Sequence, residues 1–120
     1  MSFFKKIFGQ NDTKWFQVFE KIETAKEKVA INQAVTVLIE DKKICLARTK
    51  SGWYAVADVC PHLGASLSKG KCNNFDEIVC PWHNYRFDLK LGHETSGQGT
   101  GLGIGIYKVE ERNTGLYIGL

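Results

Sequence analysis

Two short segments, Cys60-Pro61-His62 and Cys80-Pro81-Trp82-His83, carry the residues of this chain best suited to chemistry. They form the pattern C-x-H-x17-C-x2-H, which offers two thiolates and two imidazoles from two separate loops. Thiolate and imidazole together suit zinc, copper and iron–sulfur centres, and the way they are paired narrows the choice. Zinc accepts a Cys2His2 set with four ligands around one ion. Zinc-finger spacing, however, groups Cys with Cys and His with His, whereas each loop here gives one of each. A [2Fe–2S] cluster with two inequivalent irons takes two Cys on one iron and two His on the other. The like residues then come from different loops, so the loops must face each other across the cluster.

Those loops need a scaffold, and the composition describes an ordinary one. The 120 residues fit a single domain, 1–120, with 43% hydrophobic and 24% charged residues. The net charge of +3 is too small, and too spread along the chain, to form a nucleic-acid footprint. The leading residues, Met1-Ser2-Phe3-Phe4-Lys5-Lys6-Ile7-Phe8-Gly9, are too short and polar for a signal peptide or a spanning helix, so no membrane association is expected. Four cysteines without an export signal read as metal ligands and buried thiols in a reducing compartment, which predicts a cytoplasmic protein. Cys45, between Ile44 and Leu46, reads as a buried strand thiol. Cys72, beside Gly70 and Lys71, reads as open to solvent, and using it as a third cysteine ligand would break the spacing. His93, in a turn after Gly92, reads as a surface residue.

Periodicity points to an all-β chain, with short Val, Ile, Tyr and Phe runs separated by polar or Gly-bearing turns. Strands are predicted at Trp15–Phe19, Val35–Ile39, Lys43–Arg48 and Trp53–Ala57, the last three forming a meander through Glu40-Asp41-Lys42 and Thr49-Lys50-Ser51-Gly52. Short strands follow near Lys69–Lys71, Glu77–Val79 and Tyr85–Leu89, which puts the candidate ligands at hairpin tips. Ile104–Val109 and Leu116–Ile118 flank the turn Asn113-Thr114-Gly115 and complete the sheet begun near the N-terminus. Only Glu20–Lys28 passes as a helix. The glycines of Gly97–Gly105 alternate without satisfying G-x-G-x-x-G, and no helix pattern follows to hold a pyrophosphate, so the segment reads as a flexible loop.

The segments Cys60-Pro61-His62-Leu63-Gly64-Ala65 and Cys80-Pro81-Trp82-His83-Asn84-Tyr85-Arg86-Phe87-Asp88-Leu89, with Gly92 shortly after, resemble the Rieske family. The likeness extends more weakly from about Trp15 to the C-terminus. It implies a Rieske-like fold of antiparallel sheets with a small cluster-binding subdomain, about 59–90, made of two ligand loops. It also implies one [2Fe–2S] cluster per chain, held by Cys60, His62, Cys80 and His83. Two ferric ions, two sulfides and two thiolates sum to zero with neutral imidazoles, against minus two for an all-cysteine site. Accepting an electron is easier at the less negative centre, and two-histidine clusters span about −150 to +300 mV against about −400 mV for plant-type ferredoxins.

High-potential members of the family add a disulfide pair and Ser and Tyr hydroxyls that donate to sulfur. Here Ala65 and Trp82 stand at the disulfide positions, and Tyr85 and Phe87 at the donor positions. The resemblance thus implies a low-potential cluster, with His62 and His83 presenting an edge to solvent. Leu63, Trp82 and Asn84 surround that edge, with Trp82 either joining a small apolar docking patch or packing under the loop. Glycine is common in the family where Asn84 stands, which calls for a left-handed conformation at Asn84 or a slightly different loop. Gly64 and Gly70 are candidates for sharp turns that aim amides at the sulfides.

The function implied is that of a Rieske-type ferredoxin, a one-electron carrier between a reductase and an oxygenase-like terminal enzyme. It is not itself an enzyme: a mononuclear iron site needs two His and a carboxylate, and only His93 is left over. The alternative is a small accessory subunit of a redox enzyme, resembling the nitrite reductase small subunit.

Overall fold

The computed structural model describes residues 13–98 and 101–120. The leading segment discussed above, and Gly99 and Thr100 of the glycine-rich loop, lie outside the described residues. Among the described residues nine strands form two antiparallel sheets. β1 (Trp15–Phe19), β2 (Gln33–Ile39), β3 (Lys42–Thr49), β4 (Gly52–Ala57), β8 (Ile106–Arg112) and β9 (Gly115–Gly119) make a six-stranded sheet in the order β1-β9-β8-β4-β3-β2. β5 (Lys71–Cys72), β6 (Glu77–Val79) and β7 (Arg86–Asp88) make a three-stranded sheet in sequence order. The one α-helix among the described residues, α1 (Ile22–Lys28), is short, and no described helix is long and apolar enough to cross a membrane.

The predicted meander is present. Ile39 pairs with Lys42 around Glu40 (φ 48) and Asp41 (φ 68), two left-handed residues whose twist matches the flanking strands. The predicted closing hairpin is also present, with Arg112 opposite Gly115. β9 pairs with β1, which joins the two ends of the chain in one sheet.

β3 is buried on both faces, with Ile44, Cys45, Leu46 and Ala47 all at 0% exposure. Alternation sends Ile44 and Leu46 into one core with Ala25, Leu116 and Ile118, and Cys45 and Ala47 into a second. That second core contains Cys60, Cys80, Leu67, Ile78 and Phe87, so the floor of the six-stranded sheet is also the floor of the two ligand loops.

The strand predicted at Lys69–Lys71 is replaced by a 3-10 turn at Leu67–Lys69, with β5 starting only at Lys71. The side-chain oxygen of Asp58 accepts from Ser68 N–H at 2.6 Å, and Leu67 O accepts from Gly70 N–H at 2.9 Å. Both bonds curl the chain where alternation suggested extension. The second ligand loop does sit at a hairpin tip, between paired Val79 and Arg86. The first does not: it links β4 of one sheet to the 3-10 turn and β5 of the other.

Asp76 fastens the small sheet to the large one. Its buried carboxylate accepts from Thr49 Oγ1 at 2.6 Å and Ser51 Oγ at 2.9 Å, with Lys90 Nζ at 3.4 Å. Burial acts to raise its pKa, but the hydrogen bonds from Thr49 and Ser51 and the Lys90 ammonium outweigh it and hold the group below the ordinary carboxylate value. A folded pKa below the unfolded one contributes stability above the unfolded value of about 4, and that contribution fades as pH falls through the folded value. Asp76→Asn is therefore expected to lower the urea midpoint at neutral pH, with the gap to wild type narrowing below about pH 4. An equal gap at both pH values would show that the charge of Asp76 contributes nothing.

Candidate metal centre

The two loops close in the same way. Cys60 N–H donates to Ala65 O at 2.8 Å and Cys80 N–H donates to Tyr85 O at 2.7 Å, so each Cys begins a six-residue loop tied back on itself. Each is followed by proline, which fixes φ for the turn. The fourth residue after each Cys is left-handed, Gly64 at φ 78 and Asn84 at φ 57. Asn84 thus takes the backbone conformation that a glycine would, as the first of the two readings required. His83 is also left-handed at φ 63, a sparsely populated conformation for a non-glycine residue and one that clusters at functional sites.

The four candidate ligands fall into two unlike groups. Cys60 and Cys80 are each 1% exposed and neighbour one another in the core. Burial raises the Cys80 pKa, the Trp82 backbone N–H lowers it, and the neighbouring Cys60 thiol raises it again, leaving it pushed up to about 11. A thiol as reluctant to ionise as Cys80 changes when a multivalent cation supplies the compensating charge, since a coordinating thiol is deprotonated outright.

Outside the thiols, His62 and His83 line one shallow cleft with Leu63, Tyr85 and Gln98. Tyr85 stacks flat on His62, with ring centroids 3.6 Å apart and planes 11° apart, and meets His83 edge-on at 6.4 Å. His83 is exposed as expected. His62 is half-buried, and its Nε2 is enclosed without a hydrogen-bond partner. The expected solvent edge is thus supplied by His83, while Tyr85 covers a face of His62.

Among the described residues no three His, Cys, Asp or Glu side chains converge on one point. Thiols in the core and imidazoles lining one cleft outside it suit a centre of two unlike metal ions better than one tetrahedral ion. The other cysteines stand apart from this chemistry. Burial and the nearby Asp58 raise the Cys45 thiol well above its ordinary value, and burial raises Cys72 to about 12. Cys72 is buried, not open to solvent, because β5 turns its side chain into the core beneath the loops.

Leu63 and Trp82 are 59% and 51% exposed, which resolves Trp82 in favour of the surface patch. His93 is exposed, as predicted. Tyr85 as the aromatic wall between the imidazoles was visible in sequence only as a potential donor. Gln98 carried no signal, because its place depends on how the glycine-rich loop returns over the cleft.

The sequence model of the Rieske [2Fe-2S] domain matches residues 14–100. Ferredoxin CarAc of Metapseudomonas resinovorans is 32% identical over 75 residues, which cover 62% of this chain and 68% of that protein. The chain spans 45% and 22% of the length of the first two curated relatives it matches. Among solved structures, a chain from the complex of reduced oxygenase and oxidized ferredoxin in carbazole 1,9a-dioxygenase superposes with a TM-score of 0.72 at 25% identity, covering 87% of this chain and 91% of that one. A Mycobacterium tuberculosis protein described as an NADH-dependent nitrite reductase small subunit gives 0.76 over 92% of this chain and 97% of that one, a likeness of fold alone at 19% identity. With two loops of common design and a family match over most of its length, the chain belongs to the Rieske [2Fe-2S] domain family, and its cofactor is a [2Fe–2S] cluster.

Proposed function

We propose that this chain is a one-electron carrier of the Rieske ferredoxin type, passing electrons from a reductase to an oxygenase-like terminal enzyme in the cytoplasm. Residues 1–120 act as one domain, with the cluster held by the subdomain at about 59–90. Cys60 and Cys80 bind one iron, and His62 and His83 bind the other. The observation that carries this reading is the sorting of the donors, with a thiol pair at 1% exposure beneath two imidazoles in one open cleft. When bound, the cluster supplies a one-electron couple.

The chain's own residues do the rest. The Trp82 amide N–H lowers the Cys80 pKa and so favours negative charge on that sulfur, which favours the more negative, reduced state. His83 offers the exposed edge, and the apolar rim of Leu63 and Trp82 suits the small interface of a brief redox encounter. Relatives named as a ferredoxin and as the ferredoxin component of a p-cumate 2,3-dioxygenase system support the assignment of partners. The likeness in fold to a nitrite reductase small subunit keeps an accessory-subunit reading as the second choice. The presence of all four ligand residues, already in pairs, favours the carrier.

Anaerobically purified, dithionite-reduced protein is expected to give a rhombic electron paramagnetic resonance signal, with an average g value below that of all-cysteine clusters. With no hydroxyl donor at Phe87, the midpoint potential should lie near the lower end of the two-histidine range, about −150 mV. A potential above zero would contradict the low-potential assignment. A silent spectrum from protein that contains zinc would overturn the carrier reading altogether.

A further inference from the structure

Asp58 lies two residues before Cys60, is 3% exposed, and does more than curl the chain into the 3-10 turn. Its carboxylate accepts from Ser68 N–H and Ser66 Oγ, both at 2.6 Å, from Ser68 Oγ at 3.0 Å and from Thr36 Oγ1 at 3.4 Å. Ser66 and Ser68 leave the first ligand loop just as Asp58 enters it, and Thr36 lies on β2. Among the described residues no Lys, Arg or His forms an ion pair with it.

We propose that Asp58 is a positioning residue of the cluster site, bracing both ends of the first ligand loop and lowering the reduction potential through its buried charge. The inference rests on the electron-carrier reading above.

Two arguments support it. The first is geometric: a backbone N–H and three hydroxyls from two segments, residues 66–68 and β2, gather around one carboxylate, the arrangement by which a buried anion is held without a counter-ion. Hydrogen bonds to an ionised acceptor are stronger than neutral ones, so the brace depends on the charge as well as the shape. The second is electrostatic. Ser68 and Ser66 flank buried Leu67, which shares one core with Cys60 and Cys80. In that water-poor region a fixed negative charge acts strongly on any added negative charge, and reduction adds one. The same charge contributes to raising the thiol of Cys45, which lies in the same core, so it is felt among the cysteines under the loops.

The test is redox titration of the cluster-loaded full chain, wild type against Asp58→Asn and Ser66→Ala, with the paramagnetic resonance spectrum of each. Asp58→Asn keeps an acceptor oxygen, and the serine hydroxyls can rotate to accept from its amide. It is expected to keep the rhombic spectrum and to shift the reduction equilibrium at least tenfold towards the reduced form, 59 mV for one electron. Ser66→Ala keeps the charge and removes a donor that screens it, so its shift should be smaller and of opposite sign. An Asp58→Asn reduction equilibrium shifted less than tenfold towards the reduced form, or shifted the other way, overturns the inference. So does a Ser66→Ala shift that is absent or upward, and this second variant decides the matter if Asp58→Asn takes up no cluster. A wild-type chain that itself lacks the rhombic signal sinks the carrier reading instead, so the two failures are distinguishable.

Discussion

Cys80→Ala is expected to abolish the cluster: the rhombic signal and visible absorption disappear, iron and labile sulfide fall to background, and no electron passes between partners. Ligand affinity should fall by more than the roughly 10- to 100-fold that follows loss of an outer-shell partner. The residue proposed to anchor one iron is also the one whose N–H closes its loop on Tyr85 O, and alanine preserves that bond. The variant should therefore fold, which separates loss of the ligand from loss of the fold by far-ultraviolet circular dichroism. Cys45→Ala and Cys72→Ala are the matched controls. Both thiols are buried and held protonated by burial, and neither belongs to the thiol pair, so each should keep the wild-type spectrum. Retention of the signal in Cys80→Ala, or its loss in Cys72→Ala, would show that the ligand set is wrong.

The candidate ligand residues stand out in sequence because metal chemistry restricts both residue type and spacing, and a two-Cys, two-His set divided between loops has few readings. The strands were legible because alternation and turn residues are local properties: β1, β6 and the β2-β3-β4 meander fall close to where hydropathy places them. What escaped was set by contacts distant in sequence. Cys72 reads as exposed beside Lys71 and Gly70, and is buried because β5 pairs with β6 and turns the thiol inward. The 3-10 turn at Leu67–Lys69 depends on a carboxylate ten residues earlier, which no window of alternating residues reports. Tyr85 looks in sequence like a candidate hydroxyl donor, yet its ring face against His62 is what the packed loops use.

Gly70 shows how closely the two ligand loops depend on each other. Its φ of −86° suits any residue, so glycine is not required there by the backbone conformation. The requirement is space: a Cβ at Gly70 would lie 1.9 Å from Val79 O and 3.1 Å from Val79 C, both backbone atoms that no rotamer change can move aside. Val79 immediately precedes Cys80, pairs with Lys71 on one side and Arg86 on the other, and so fixes the base of the second loop. Gly70 itself ends the 3-10 turn that Asp58 anchors through Ser68. A methyl group inserted here must push the exit of the first loop away from the stem of the second, and the distance between the thiols of Cys60 and Cys80 changes with it. Gly70→Ala is expected to cost about 3 kcal/mol, the upper end of the range for overpacking, and to reduce cluster content in parallel. Gly64→Ala is the comparison, because its φ of 78° carries a left-handed penalty of about 1 kcal/mol while its Cβ would enter open space. Urea unfolding with iron analysis should therefore rank Gly70→Ala well below Gly64→Ala in both stability and loading. Equal stability and equal loading would mean that the approach of Gly70 to Val79 relaxes without disturbing the site, and that the loops are positioned independently.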